Sequence, residues 1–93
     1  MDFGETLAYY TCVFDYRGGT YVRQFPKEDF PGGLAQAVTD VLNFLETPVT
    51  SAAEQANVDE CWRELVALTG MHKVWCTSLR IHNKLFIAHV IGQ

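Results

Sequence analysis

Apolar and polar positions alternate at both ends of the chain and recur at helical spacing between them. Near the start, Tyr10, Cys12, Phe14 and Tyr16 fall on one side of a strand, with Tyr9, Thr11, Val13 and Asp15 on the other. Neither side is plainly polar, so this strand is expected to be central or covered on both faces. Gly18-Gly19 then separates it from a second apolar run ending at Phe25, a pattern that predicts a β-hairpin. A type I′ turn on the two glycines puts Tyr16 opposite Tyr21, Phe14 opposite Arg23 and Cys12 opposite Phe25. A three-residue loop instead puts Asp15 opposite Arg23 and Tyr16 opposite Val22, which exchanges the faces, and the pattern leaves both readings open. Pro26 ends the second strand because it has no N–H for the ladder.

The middle of the chain reads as helical. Leu34, Val38, Val41, Leu42 and Leu45 form one stripe with Ala35 and Ala37 beside it, while Phe44 falls off it. Asp29 is the expected N-cap, Pro31 suits the first turn and Thr47-Pro48 stops the helix. Ser51 with Glu54, and Asn57 with Glu60, both fit a capping box. Either two helical pieces meet near Asn57, or one helix runs from Ser51 to Thr69. Val58, Cys61, Trp62, Leu65 and Leu68 supply its stripe, and Gly70 is the expected closing residue.

Val74–Ile81 and Leu85–Ile91 are the last two strands, joined around His82-Asn83-Lys84. A three-residue loop groups Trp75, Thr77, Leu79 and Ile81 with Leu85, Ile87, His89 and Ile91 as the expected core face. The order is β-β-α-α-β-β. It predicts a single α+β domain over residues 1–93, a two-layer sandwich of a four-stranded, mostly antiparallel sheet with two helices on one face. Met1–Glu5 is expected to be a frayed lead-in.

Composition agrees with a packed domain: 48% of residues are hydrophobic and 19% charged, so a core is attainable without metal or disulfide. The N-terminus lacks the basic and apolar regions of a signal peptide, and no run approaches the roughly 18 apolar residues of a membrane span. A soluble, cytoplasmic protein is expected, with no membrane contact. Cys12, Cys61 and Cys76 are odd in number and without paired spacing, as buried thiols of a reducing compartment are. Net charge is −4, divided as −7 over residues 1–70 and +3 over residues 71–93. That balance argues against nucleic acid, whose phosphates need lysines and arginines to displace counterions.

Candidate chemistry is sparse. There is no C-x-x-C or H-x-x-x-H, so no metal site and no cofactor are expected. Cys76 and His89 can approach across the second hairpin, but a site would need two further ligands. Cys12 and Cys76 sit in apolar surroundings rather than beside an oriented base, and no catalytic residue is assigned. The glycine pairs lack phosphate-loop spacing. What remains is the sheet face that two helices leave open, where aromatic residues mark an interface. Tyr9, Tyr21 and Arg23 on the first hairpin are the candidate partner-binding residues.

The run Phe14-Asp15-Tyr16-Arg17-Gly18-Gly19-Thr20-Tyr21-Val22, with Phe25-Pro26 and Asp29-Phe30-Pro31-Gly32, resembles the opening hairpin of HicB-type antitoxins. Those proteins neutralise a small RNA-cleaving toxin through a partly double-stranded-RNA-binding-like fold. The likeness covers about a fifth of the chain. Here a helix follows where that family places a third strand, and the DNA-binding tail is absent. Arg17-Gly18-Gly19-Thr20-Tyr21 with Val74-Trp75-Cys76 also resembles a set of small uncharacterised bacterial proteins. Both likenesses imply a bacterial accessory protein that works by binding. The expectation is a small protein-interaction module, an antitoxin- or immunity-like inhibitor whose acidity suits a basic target. The alternatives are a small-molecule-binding or cysteine-dependent enzymatic domain using Cys76 and His89, and a homo-oligomeric structural module.

Overall fold

The computed structural model describes residues 8–92; the lead-in expected at Met1–Glu5 lies outside them. Two hairpins supply the long strands: β1 (Tyr9–Tyr16) with β2 (Gly19–Pro26), and β4 (Val74–Ile81) with β5 (Lys84–Gly92). A two-residue strand, β3 (Val66–Ala67), pairs with β4, so the sheet has five strands rather than four. All neighbours are antiparallel in the order β2-β1-β5-β4-β3, which puts β5, the last strand in the chain, at the centre.

The first turn is centred one residue earlier than the glycine pair suggested. Arg17 and Gly18 take the positive φ values, 54° and 84°, of a two-residue turn. Tyr16 therefore pairs with Gly19, Phe14 with Tyr21 and Cys12 with Arg23, which corrects both expected registers while keeping the faces of the first. Gly19 serves as the first residue of β2, where a Cβ would collide with the Tyr21 phenol. At the second turn His82 and Asn83 take φ of 52° and 63°, and Ile81 pairs with Lys84. The loop has two residues, not three. That single step turns Phe86, Ala88 and Val90 inward and sends Leu85, Ile87, His89 and Ile91 to the opposite face.

Helix α1 (Gly32–Phe44) buries Leu34, Ala37, Val38, Val41 and Leu42, the stripe read from the sequence. Asp29 does not cap it: Lys27–Asp29 forms a separate 3-10 turn, and Pro31, after a cis peptide bond, occupies the cap position. Helix α2 (Ala52–Glu60) begins as expected, with the Glu54 N–H donating to Ser51 Oγ at 2.9 Å. It stops at Glu60, well before Thr69. Cys61–Glu64 tightens into a 3-10 turn, and the chain becomes extended at Val66–Ala67. The gain is backbone pairing for β4, continued where the Leu68 N–H donates to the Val74 carbonyl at 3.0 Å.

The buried sheet residues lie on one face: Cys12, Phe14 and Tyr16 of β1, Phe25 of β2, Ile81 of β4, and Phe86, Ala88 and Val90 of β5. They join the α1 stripe, Val58 and Cys61 in one core, so both helices cover that face. One polar tie spans the sheet from β1 to β4, and another joins the sheet to the helix layer. The buried Tyr16 hydroxyl donates to the Ile81 carbonyl at 2.9 Å. Glu54 Oε2 accepts the His82 N–H at 2.8 Å, while His82 Nε2 lies 3.2 and 2.9 Å from the Thr47 and Pro48 carbonyls. Two facing carbonyls require the proton to be on Nε2.

Candidate functional site

The face without helices is the first candidate surface. Its central row runs straight across five strands: Val22, Val13, His89, Cys76 and Val66 are successive register partners. The next rows contribute Gln24, Thr11, Ile91 and Val74 on one side, and Thr20, Asp15, Ile87 and Ser78 on the other. Val22, Val66 and Leu85 are more than half exposed, at 53%, 65% and 51%. Asp15 and Arg80 are the acidic and basic side chains of this face, and Thr20 Oγ1 donates to Asp15 at 2.7 Å. Neither residue lies in the central row, so the middle of the sheet is apolar apart from His89 and Cys76.

The three residues singled out in the sequence do not share a surface. Tyr9 is on the open face, where it pairs with Pro26 and is 38% exposed. Tyr21 and Arg23 point to the helix side: Tyr21 is half-buried against the core. Arg23 lines a groove between β2 and α1, its guanidinium 5.8 Å from the Phe44 ring centroid and its Nη1 donating to the Val22 carbonyl at 2.8 Å. β2 is an edge strand, so that carbonyl points out of the sheet and Arg23 covers it.

Burial governs the cysteines. Cys12 is inaccessible, and burial, with a smaller contribution from Cys61 nearby, pushes its thiol up to about 12. Burial likewise pushes Cys61 up to about 11, against the pull of its backbone hydrogen bond. Neither can supply a thiolate at neutral pH. Cys76 is half-buried directly opposite His89, as a cross-strand pair. Among the described residues no three His, Cys, Asp or Glu side chains gather as a metal site would require. No helix there is long and apolar enough to cross a membrane.

A second concavity lies on the helix side, beyond the reach of α1 and α2. Tyr10, Trp75 and Val90 form its floor, and Phe30, Trp62 and Leu65 its walls, around a space of about 290 Å³. Sequence reading assigned Trp62 to a helix stripe and Phe30 to a helix approach, and so missed their convergence. The signal was present as large aromatics at the ends of elements rather than within them. Comparison with family models, with curated proteins and with solved structures finds no match for this chain, so its sites rest on their own geometry.

Proposed function

We propose that this chain is a small protein-interaction module whose contact surface is the open face of the sheet, covered by a second copy of itself. The observation that carries this reading is the uninterrupted row Val22–Val13–His89–Cys76–Val66, apolar at both ends and unopposed by any helix. Four strands about eight residues long give a flat footprint of roughly 500 Å² before side-chain relief is counted. That approaches the ~800 Å² each partner contributes to a standard interface.

Self-complementarity favours a second copy. Asp15 lies on β1 and Arg80 on β4, the two strands flanking β5. A twofold axis along β5 exchanges these flanking strands and carries each Arg80 over the partner's β1. Asp15 pairs with Ile87 and Arg80 with Leu85, two residues apart, or about 7 Å along the strand, within reach of an arginine side chain. The net charge of −4 would then serve a basic partner on the remaining surface, as in an antitoxin- or immunity-like inhibitor.

Light scattering on the purified chain tests the reading. A mass of two chains is expected, falling to one in Val13→Asp with the circular dichroism unchanged. Arg80→Glu should weaken the dimer, and adding Asp15→Arg should restore it. A wild-type chain that stays monomeric at every concentration overturns the second copy as occupant.

A further inference from the structure

The geometry points to a binding site for a quaternary ammonium group in the crevice between Tyr10, Phe30, Trp62 and Trp75. The four rings form a folded wall. Trp62 meets Phe30 at 6.1 Å and 78°, Phe30 meets Tyr10 at 5.8 Å and 60°, and Tyr10 meets Trp75 at 6.2 Å and 87°. Successive rings are steeply inclined instead of stacked on one another, and all four line the same space. Inclined aromatic faces around a pocket are how proteins hold trimethylammonium groups, whose diffuse charge is attracted by the ring quadrupoles.

The corner of this wall is kept open by a glycine. A Cβ at Gly92 would come within 3.1 Å of the Tyr10 ring and 3.4 Å of the Trp75 ring. Its absence lets those rings approach edge-to-face without a side chain between them. Two rings already attract cations of the chain itself: Lys27 Nζ is 5.2 Å from the Tyr10 centroid, and the Arg63 guanidinium 5.0 Å from that of Trp62. Arg63 is also 3.4 Å from Glu60. The turns bearing Phe30 and Trp62, residues 27–30 and 60–65, hold four acids and two bases, and counting Lys73 ahead of β4 leaves a balance of −1. Asp29 lines the groove beside α1, and Glu60 and Glu64 line another beside β4, so the crevice wall itself is aromatic and apolar, and it is the ring faces that draw a cation, as they draw Lys27 and Arg63.

The space of about 290 Å³ admits a trimethylammonium group with a short stem. The ligand class is thus a small, free quaternary ammonium compound. This site is on the opposite layer from the open sheet face and does not depend on pairing there.

Trp62 and Trp75 are the chain's two tryptophans, and both line the crevice, so intrinsic fluorescence reports any occupant. Choline is the probe, and 3,3-dimethylbutan-1-ol its neutral isostere. A saturable change with choline is expected, at concentrations roughly tenfold below any effect of the isostere. Lys27→Met should tighten choline binding a few-fold by removing a competing cation, and Trp62→Leu should abolish it with the thermal midpoint retained. Equal binding of the isostere, weaker binding in Lys27→Met, or no saturable change with choline would each overturn the assignment.

Discussion

Alkaline pH should destabilise this fold through two thiols that cannot ionise where they are. Cys12 and Cys61 are 0% and 4% exposed, and burial raises them from an ordinary 9.0 to about 12 and about 11. Their native forms stay protonated as pH rises past 9, while the unfolded chain loses both protons. The unfolded state then binds fewer protons, so stability falls with pH. The contribution is fully present below pH 9. Its loss levels off above 11 for Cys61 and above 12 for Cys12. Between about pH 8 and about pH 10 each thiol costs on the order of 1 kcal/mol, and the pair two to three times that. That is a large part of the 5–15 kcal/mol by which domains of this kind are usually stable. Urea unfolding at stepped pH measures it, with Cys12→Ala/Cys61→Ala as the reference. The variant starts less stable, so the slope is compared and not the level. Keeping below about pH 10 limits the contribution of Tyr16, whose buried phenol is also raised and acts in the same direction. Parallel slopes for the two proteins would refute the reasoning.

Three further outcomes are expected. Tyr16→Phe removes the hydroxyl that donates to Ile81 while keeping the ring against Phe86, and should cost about 1 kcal/mol in urea unfolding, since the Ile81 carbonyl keeps its ladder partner Lys84. Thr77→Val should raise the thermal midpoint by a few degrees, because the buried Thr77 Oγ1 has no hydrogen-bond partner among the described residues and valine has its shape. With the open face paired as proposed, native protein should titrate no fast thiol with a disulfide reagent, the monomeric Val13→Asp variant one, Cys76, and Cys12 and Cys61 should react only on unfolding; three fast thiols would mean the core opens readily.

What the sequence discloses depends on how many residues share in each decision. The α1 stripe is a repeated signal in which Leu34, Val38, Val41 and Leu42 all agree, and it fell where expected. The strands were likewise legible as α+β alternation. Registers were not, because each rests on one turn. Arg17 taking a positive φ in place of Gly19, and Lys84 belonging to the strand in place of the loop, are local choices that tertiary packing makes. The second choice inverted β5, hiding Phe86 and exposing His89. The end of α2 was also misread, since the Cys61–Leu68 stripe fits a helix until the bare edge of β4 is known to need a neighbour. For the same reason the crevice could not be foreseen: its walls come from two 3-10 turns that have no periodicity.

The two borders of the sheet set how far the molecule can assemble. β3 offers a lip of two residues, and at the other border Arg23 covers the Val22 carbonyl while Pro26 has no N–H to give. Sideways strand addition, which repeats without end once begun, is hindered at these positions on both flanks. Contact through the flat of the sheet consumes that surface in a single step and closes on itself. Where the open face pairs as proposed, association ends at two chains instead of extending.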